Sequence, residues 1–104
     1  ANVAAAGYDP VAELPLCNGH LVAIHVKDSL PKTIRRVPFG AGIVPFEQVF
    51  RTLAAMHYGG PLIVEMWADA DGAGDPVATV RAARQFVADL VERTYPAPEA
   101  ALAG

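Results

Sequence analysis

Two short apolar runs in this chain each carry, near their end, a side chain that can bind a metal. The first reads Leu21-Val22-Ala23-Ile24-His25-Val26 and continues into Lys27-Asp28. The second reads Pro61-Leu62-Ile63-Val64-Glu65-Met66-Trp67. Such runs predict strands covered on both faces, over about 21–27 and 61–66. A loop and a helical stretch lie between them, which predicts parallel strands joined by a right-handed crossover. An α/β barrel presents its working groups at the carboxyl ends of parallel strands, and His25 and Glu65 fall at such ends.

The remaining segments read as helices and loops. Asp9-Pro10 supplies an N-cap and an N1 proline for a short helix over about 10–16, before Asn18-Gly19. Ala1 to Gly7 are small and carry no pattern, as the tail of a preceding element would. Pro45 opens a helix over about 46–57, where Phe46, Val49, Phe50 and Leu53 recur at i, i+3, i+4 and i+7. Asp75-Pro76 repeats the start signal for a helix over about 76–94, whose apolar face is Val80, Ala83, Val87, Leu90 and Val91.

Two strands cannot cover both faces of such a unit, and a complete barrel takes eight strands and roughly 250 residues. The 104 residues are therefore expected to form one partial domain, the last two βα units of a (β/α)8 TIM barrel. Composition points the same way. The chain is 53% hydrophobic with a mean hydropathy of +0.28, where a small domain needs more polar cover. Some apolar surface is thus expected to be buried by the rest of a barrel or by a partner chain. A start at Ala1 rather than Met fits residues preceding it.

Several classes lose support at once. A net charge of −3 gives no polycationic face for nucleic acid. Cys17 is the single cysteine, so no internal disulfide forms, and a reducing, cytoplasmic setting is expected. No apolar run approaches the ~18 residues of a membrane span, and no signal-peptide pattern opens the chain. Walker sequences, nucleophile elbows and zinc-type cysteine pairs do not occur.

Candidate chemistry rests on few side chains. A neutral His25 imidazole suits Zn, Mn or Co; the alternative is a strand-end histidine satisfied by a backbone carbonyl. An ionised Glu65 in an apolar strand is costly unless paired or metal-bound, and Lys27 is a possible salt-bridge partner. Alternation puts Lys27 on the side of His25 and Asp28 on the other. Lys27 can hold a substrate oxygen or phosphate, or be a solvated strand end. Arg35 and Arg36 lie in the long loop from Lys27 to Val44, where they can clamp a phosphate or stand as exposed charges. Trp67 can wall a sugar pocket or pack at its rim. Asp69, Asp71 and Asp75 lack the EF-hand pattern and read as loop and cap residues. His20 and His57 read as surface residues.

Three ordered segments resemble a known family. They are 21–29 around His25, Val37-Pro38-Phe39-Gly40-Ala41-Gly42, and Leu62-Ile63-Val64-Glu65-Met66-Trp67. They are similar to L-ribulose-5-phosphate (L-xylulose-5-phosphate) 3-epimerases of the xylose-isomerase-like barrel superfamily, some of which carry the older name hexulose-6-phosphate isomerase. The similarity runs from about Asp9 to Arg93 and corresponds to the C-terminal third or so of a full member.

The resemblance implies a divalent ion (Zn, Mn, Co or Mg) held by Glu, Asp, His and Glu. His25 would be the ligand from strand seven and Glu65 that from strand eight, with the other two on strands upstream of Ala1. It implies removal of the C3 proton of a ketopentose 5-phosphate and its return on the opposite face, through a cis-enediolate. Two glutamates would act as the acid/base pair, Glu65 being one. The expected partners are a small sugar phosphate and further copies of the chain in a homo-oligomer. The 104 residues alone are expected to be inactive. An aldose–ketose isomerase of the same superfamily is the alternative within enzymes. A non-catalytic truncated chain that oligomerises through its strand edges is the alternative outside them. Two positions depart from the family. Ala41 stands where the loop usually reads Phe-Gly-Glu-Gly, which removes a carboxylate behind the ligands. Pro45 stands where an aspartate usually caps the helix.

Overall fold

A computed structural model describes residues 1–66 and 75–96. Trp67, Asp69 and Asp71 lie outside the described residues. Six elements follow one another: α1 (Asn2–Ala5), α2 (Pro10–Glu13), β1 (Ile24–Val26), α3 (Phe46–Ala55), β2 (Leu62–Val64) and α4 (Pro76–Thr94). A 3₁₀ turn, Leu14–Cys17, continues α2.

Local chemistry explains the helix ends. The Asp9 and Asp75 carboxylates accept from Val11 N at 2.9 Å and Val77 N at 3.0 Å, each ahead of a proline at the first helical position. These contacts satisfy N–H groups that a helix start leaves orphaned. Pro45 instead occupies the N-cap of α3 and supplies no side-chain acceptor. At the other end of α3, His57 takes a left-handed φ of 57°. That turn lets Tyr58 N donate to Leu53 O and His57 N to Ala54 O, both at 3.0 Å. This is a Schellman closure, a place where glycine is the usual residue.

The alanine-rich start differs from its expectation as a patternless tail. Asn2–Ala5 is helical, with Ala4 and Ala5 buried. Alanine has the highest helix propensity, and the turn is tied from outside. Ser29 Oγ donates to Ala1 O at 3.0 Å, and Lys32 N donates to Ala5 O at 2.9 Å.

β1 and β2 form a two-stranded parallel sheet in the register Ile24↔Leu62, His25↔Ile63 and Val26↔Val64. The ladder is shorter than 21–27 and 61–66, because each strand has one neighbour among the described residues. Ile24, Val26, Leu62 and Val64 turn toward the helices and pack in or against a core of Phe46, Phe50, Leu53, Tyr58, Val87 and Leu90. His25 and Ile63 turn the other way and are exposed. Full cover on both faces, the sequence expectation, is thus met on one face only among the described residues. The open face is the one that points inward when such strands close into a barrel.

Two tyrosines fasten the layers. Tyr58 Oη donates to Pro61 O at 2.7 Å at the entry to β2, and Tyr95 Oη donates to Tyr58 O at 2.9 Å. The two helices differ in reach. With 10 residues α3 spans about 15 Å, and with 19 residues α4 spans about 28 Å at 1.5 Å per residue. The first turns of α4 therefore project past α3. Val80, expected on the apolar face, is accordingly 54% exposed.

Candidate active site

The site grows from the carboxyl ends of the two strands. His25 lies within β1, Lys27 follows that strand, and Glu65 follows β2. Glu65 N donates to Val26 O at 3.0 Å, which extends the ladder by one rung and sets the carboxylate beside its neighbour strand. Period-two alternation puts His25, Lys27 and Glu65 on one side of the sheet.

Their side chains meet there. His25 Nδ1 lies 3.2 Å from Glu65 Oε1, and Lys27 Nζ lies 2.5 Å from Glu65 Oε2. Lys27 is largely enclosed, with 13% of its side chain exposed, against 58% for His25. The Lys27 hydrogen bond, and next that of His25, hold the Glu65 carboxyl below its usual range against a smaller opposing effect of burial. Glu65 is thus ionised at neutral pH, and Lys27 lowers its basicity. Lysine pairing, one of the two readings open for Glu65 in the sequence, is realised in this geometry.

The same pair fits a divalent ion. Two donors that each lie about 2.1 Å from one ion stand roughly 3.0–3.4 Å apart when its geometry is octahedral or tetrahedral. The 3.2 Å gap between Nδ1 and Oε1 matches that separation, and an imidazole–carboxylate set suits Zn, Mn or Co. No cluster of three or more His, Cys, Asp or Glu side chains occurs among the described residues. What is present is a pair of donors.

Two clefts meet at Lys27 and Glu65. One, of about 670 Å³, is lined by Lys27, Glu65, Arg36, Phe39 and the projecting first turns of α4. The other, of about 540 Å³, takes in His25, Lys27 and Glu65 above a floor that includes Ile24, Val26, Phe46 and Phe50. Arg36 therefore joins the site residues at a cleft, whereas Arg35 is exposed and lies outside both linings. Trp67 falls outside the described residues. Asp75 caps α4 and lines the first cleft.

Sequence reasoning passed over Asp28. Its side chain is buried, with the residue 2% exposed, and its two oxygens collect four backbone N–H groups. Ser29 N and Val44 N donate to Oδ1 at 2.8 and 3.2 Å; Gly40 N and Gly42 N donate to Oδ2, both at 2.9 Å. A buried carboxylate requires such partners. A Cβ on Gly42 would collide with that carboxylate and with Ser29 O, so a side chain at position 42 forces the carboxylate and the adjoining backbone to shift. Ala41, where the resemblance leads one to expect glutamate, is exposed between the two glycines. An aspartate at a strand end followed by a Gly-x-Gly turn was the signal available in the sequence.

Parallel βα units with a histidine and a carboxylate at adjacent strand ends define a piece of an α/β barrel with a metal-competent rim. The family described as Xylose isomerase-like TIM barrel matches residues 1–90, and the chain belongs to that family. Among curated proteins it is 45% identical over 86 residues to the L-ribulose-5-phosphate 3-epimerase UlaE of Escherichia coli O1:K1 / APEC. The protein of the same name from strain K12 / DH10B has the same identity and coverage. The putative L-ribulose-5-phosphate 3-epimerase UlaE of Shigella dysenteriae serotype 1 also matches at 45% over 86 residues. Each match covers 83% of this chain and 30% of the relative, so the chain spans about a third of the length of these proteins.

Proposed function

We propose that this chain supplies the last two βα units of a metal-dependent epimerase that inverts C3 of a ketopentose 5-phosphate, working within a longer polypeptide. The supporting observation is the pairing of His25 and Glu65 at 3.2 Å on adjacent parallel strand ends. It occurs in a segment 45% identical to proteins named L-ribulose-5-phosphate 3-epimerase.

In this reading His25 and Glu65 hold a divalent ion together with two ligands from the remaining strands. When bound, the ion acts as a Lewis acid toward the oxyanion charge that develops as the C3 proton leaves. The chain's own groups do the rest. Glu65 is ionised and can accept the proton at Oε2 once Lys27 turns from that oxygen to the substrate. A carboxylate relieved of its ammonium partner regains basicity, which moves it toward the matched range that proton transfer favours. A second glutamate on an upstream strand, protonated at the outset, would deliver its own proton to C3 from the opposite face, leaving Glu65 protonated and itself ionised until both exchange with solvent. Lys27 stabilises negative charge on the enediolate, and Arg36, which lines the larger cleft, takes the 5-phosphate through its planar fork.

The test is turnover by the complete polypeptide. Conversion between L-ribulose 5-phosphate and L-xylulose 5-phosphate, lost on Glu65→Gln, supports the reading. A wild-type protein that leaves both sugars unchanged when loaded with Zn, Mn, Co or Mg contradicts it.

A further inference from the structure

Between β1 and α3 the chain runs out from Asp28, round an excursion from Ser29 to Phe39, and back to Gly40. The two ends of that excursion are tied together at a neck. Asp28 draws in the N–H groups of Gly40, Gly42 and Val44, and Ile43 N donates to Ser29 O at 2.7 Å. Compact loops with fastened ends of this kind are often functional. The far part of the loop, from Ile34 to Phe39, contributes Ile34, Arg36, Val37, Pro38 and Phe39 to the wall of the larger cleft.

Arg36 holds a left-handed φ of 59°, a conformation that L side chains adopt only when their surroundings impose it. Residues 30–36 are exposed, and the arm is tied ahead of Arg36 by the Leu30–Thr33 bridge and by Lys32 N donating to Ala5 O. On the side after Arg36 the neck holds the returning chain, through the buried Asp28 and Ser29 and the amides of Gly40, Gly42, Ile43 and Val44. It sits one residue from Lys27, so a single carboxylate links the strand end to the arm that carries Arg36.

We propose that Asp28 is a positioning residue. Its carboxylate, closed over Gly42, locks the neck and thereby sets Arg36 at the cleft to bind the phosphate group of the substrate. This rests on the reading of the cleft as a sugar-phosphate site, and it assigns the fixing of that group to Asp28, which borders the same cleft, through its hold on the neck. Asp28→Asn keeps the shape and replaces one acceptor oxygen by an amide that repels its N–H partners. Gly42→Ala leaves the carboxylate intact and forces it off the neck.

Inorganic phosphate titrated by calorimetry into the complete polypeptide reads the lock without needing turnover. Asp28→Asn, Gly42→Ala and Arg36→Ala are each expected to weaken phosphate about tenfold, the scale of one charge-assisted contact. The Asp28→Asn/Arg36→Ala double variant is expected to be no weaker than Arg36→Ala. Hydrogen exchange should quicken within 29–44 alone in the two neck variants. If Asp28→Asn does not fold, Gly42→Ala carries the same comparison. Wild-type phosphate affinity in a folded neck variant overturns the proposal, as do losses that multiply in the double variant. Where ketopentose phosphate is turned over, the neck variants raise KM and hold kcat; a fall in kcat at constant KM shows a merely structural role and also overturns it. A protein that shows the phosphate pattern but epimerises nothing keeps the lock and loses the epimerase reading.

Discussion

At the scale of single residues, Glu65 is the most informative group because Lys27 and His25 both converge on its carboxylate. Its carboxyl is held below its ordinary 4.5 by Lys27 first and His25 second. The sign follows directly: the pairing contributes stability above about pH 4.5 and loses it as pH falls through the lowered folded value. A carboxyl-carbon NMR titration should place the Glu65 midpoint below 4.5 in wild type, and higher in Lys27→Met than in wild type. A wild-type midpoint at or above the ordinary value would contradict the arrangement. Leu53 is the other extreme, a residue with 0% exposure at the centre of the core. Leu53→Ala should cost about 3 kcal/mol in denaturant unfolding, through lost transfer energy and an unfilled cavity.

What was legible at this scale was residue type and strand phase. His25, Lys27 and Glu65 share a side of the sheet because alternation says so. The role of Asp28 had only the Gly-x-Gly turn as a signal, because three of its four amide partners lie 12 to 16 positions away, brought back by a loop path that no periodicity encodes. Arg35 and Arg36 looked alike in sequence. Arg36, itself left-handed, lines the cleft, and Arg35 lies outside its lining.

At the scale of elements, the order of apolar runs and proline-led helix starts carried the parallel crossover. The extent of the ladder was not readable from the runs themselves, since hydrogen-bonded strand length depends on a partner as well as on composition. Helix ends offer two checks. Pro45→Asp supplies the side-chain acceptor that α3 lacks, and should raise stability by about 1 kcal/mol. His57→Gly relieves the left-handed residue of the Schellman turn, and should raise stability by about 0.5–1 kcal/mol. Thermal melts of the complete polypeptide measure both; a lowered midpoint in either variant would contradict the described geometry.

At the scale of the whole molecule, the open face decides the chemistry. His25 and Ile63 look out from a sheet that, among the described residues, is packed on its other side only, and the His25–Glu65 pair stands at its rim. The chain belongs to a barrel family whose curated relatives it spans by about 30% of their length. The proposed metal site would draw on strands beyond these two. The most direct measurement is therefore metal content together with epimerase turnover for the complete polypeptide and its His25→Ala and Glu65→Gln variants. Near-stoichiometric metal and full turnover in wild type, with both lost in either variant, is the predicted result. Wild-type turnover by Glu65→Gln would contradict it.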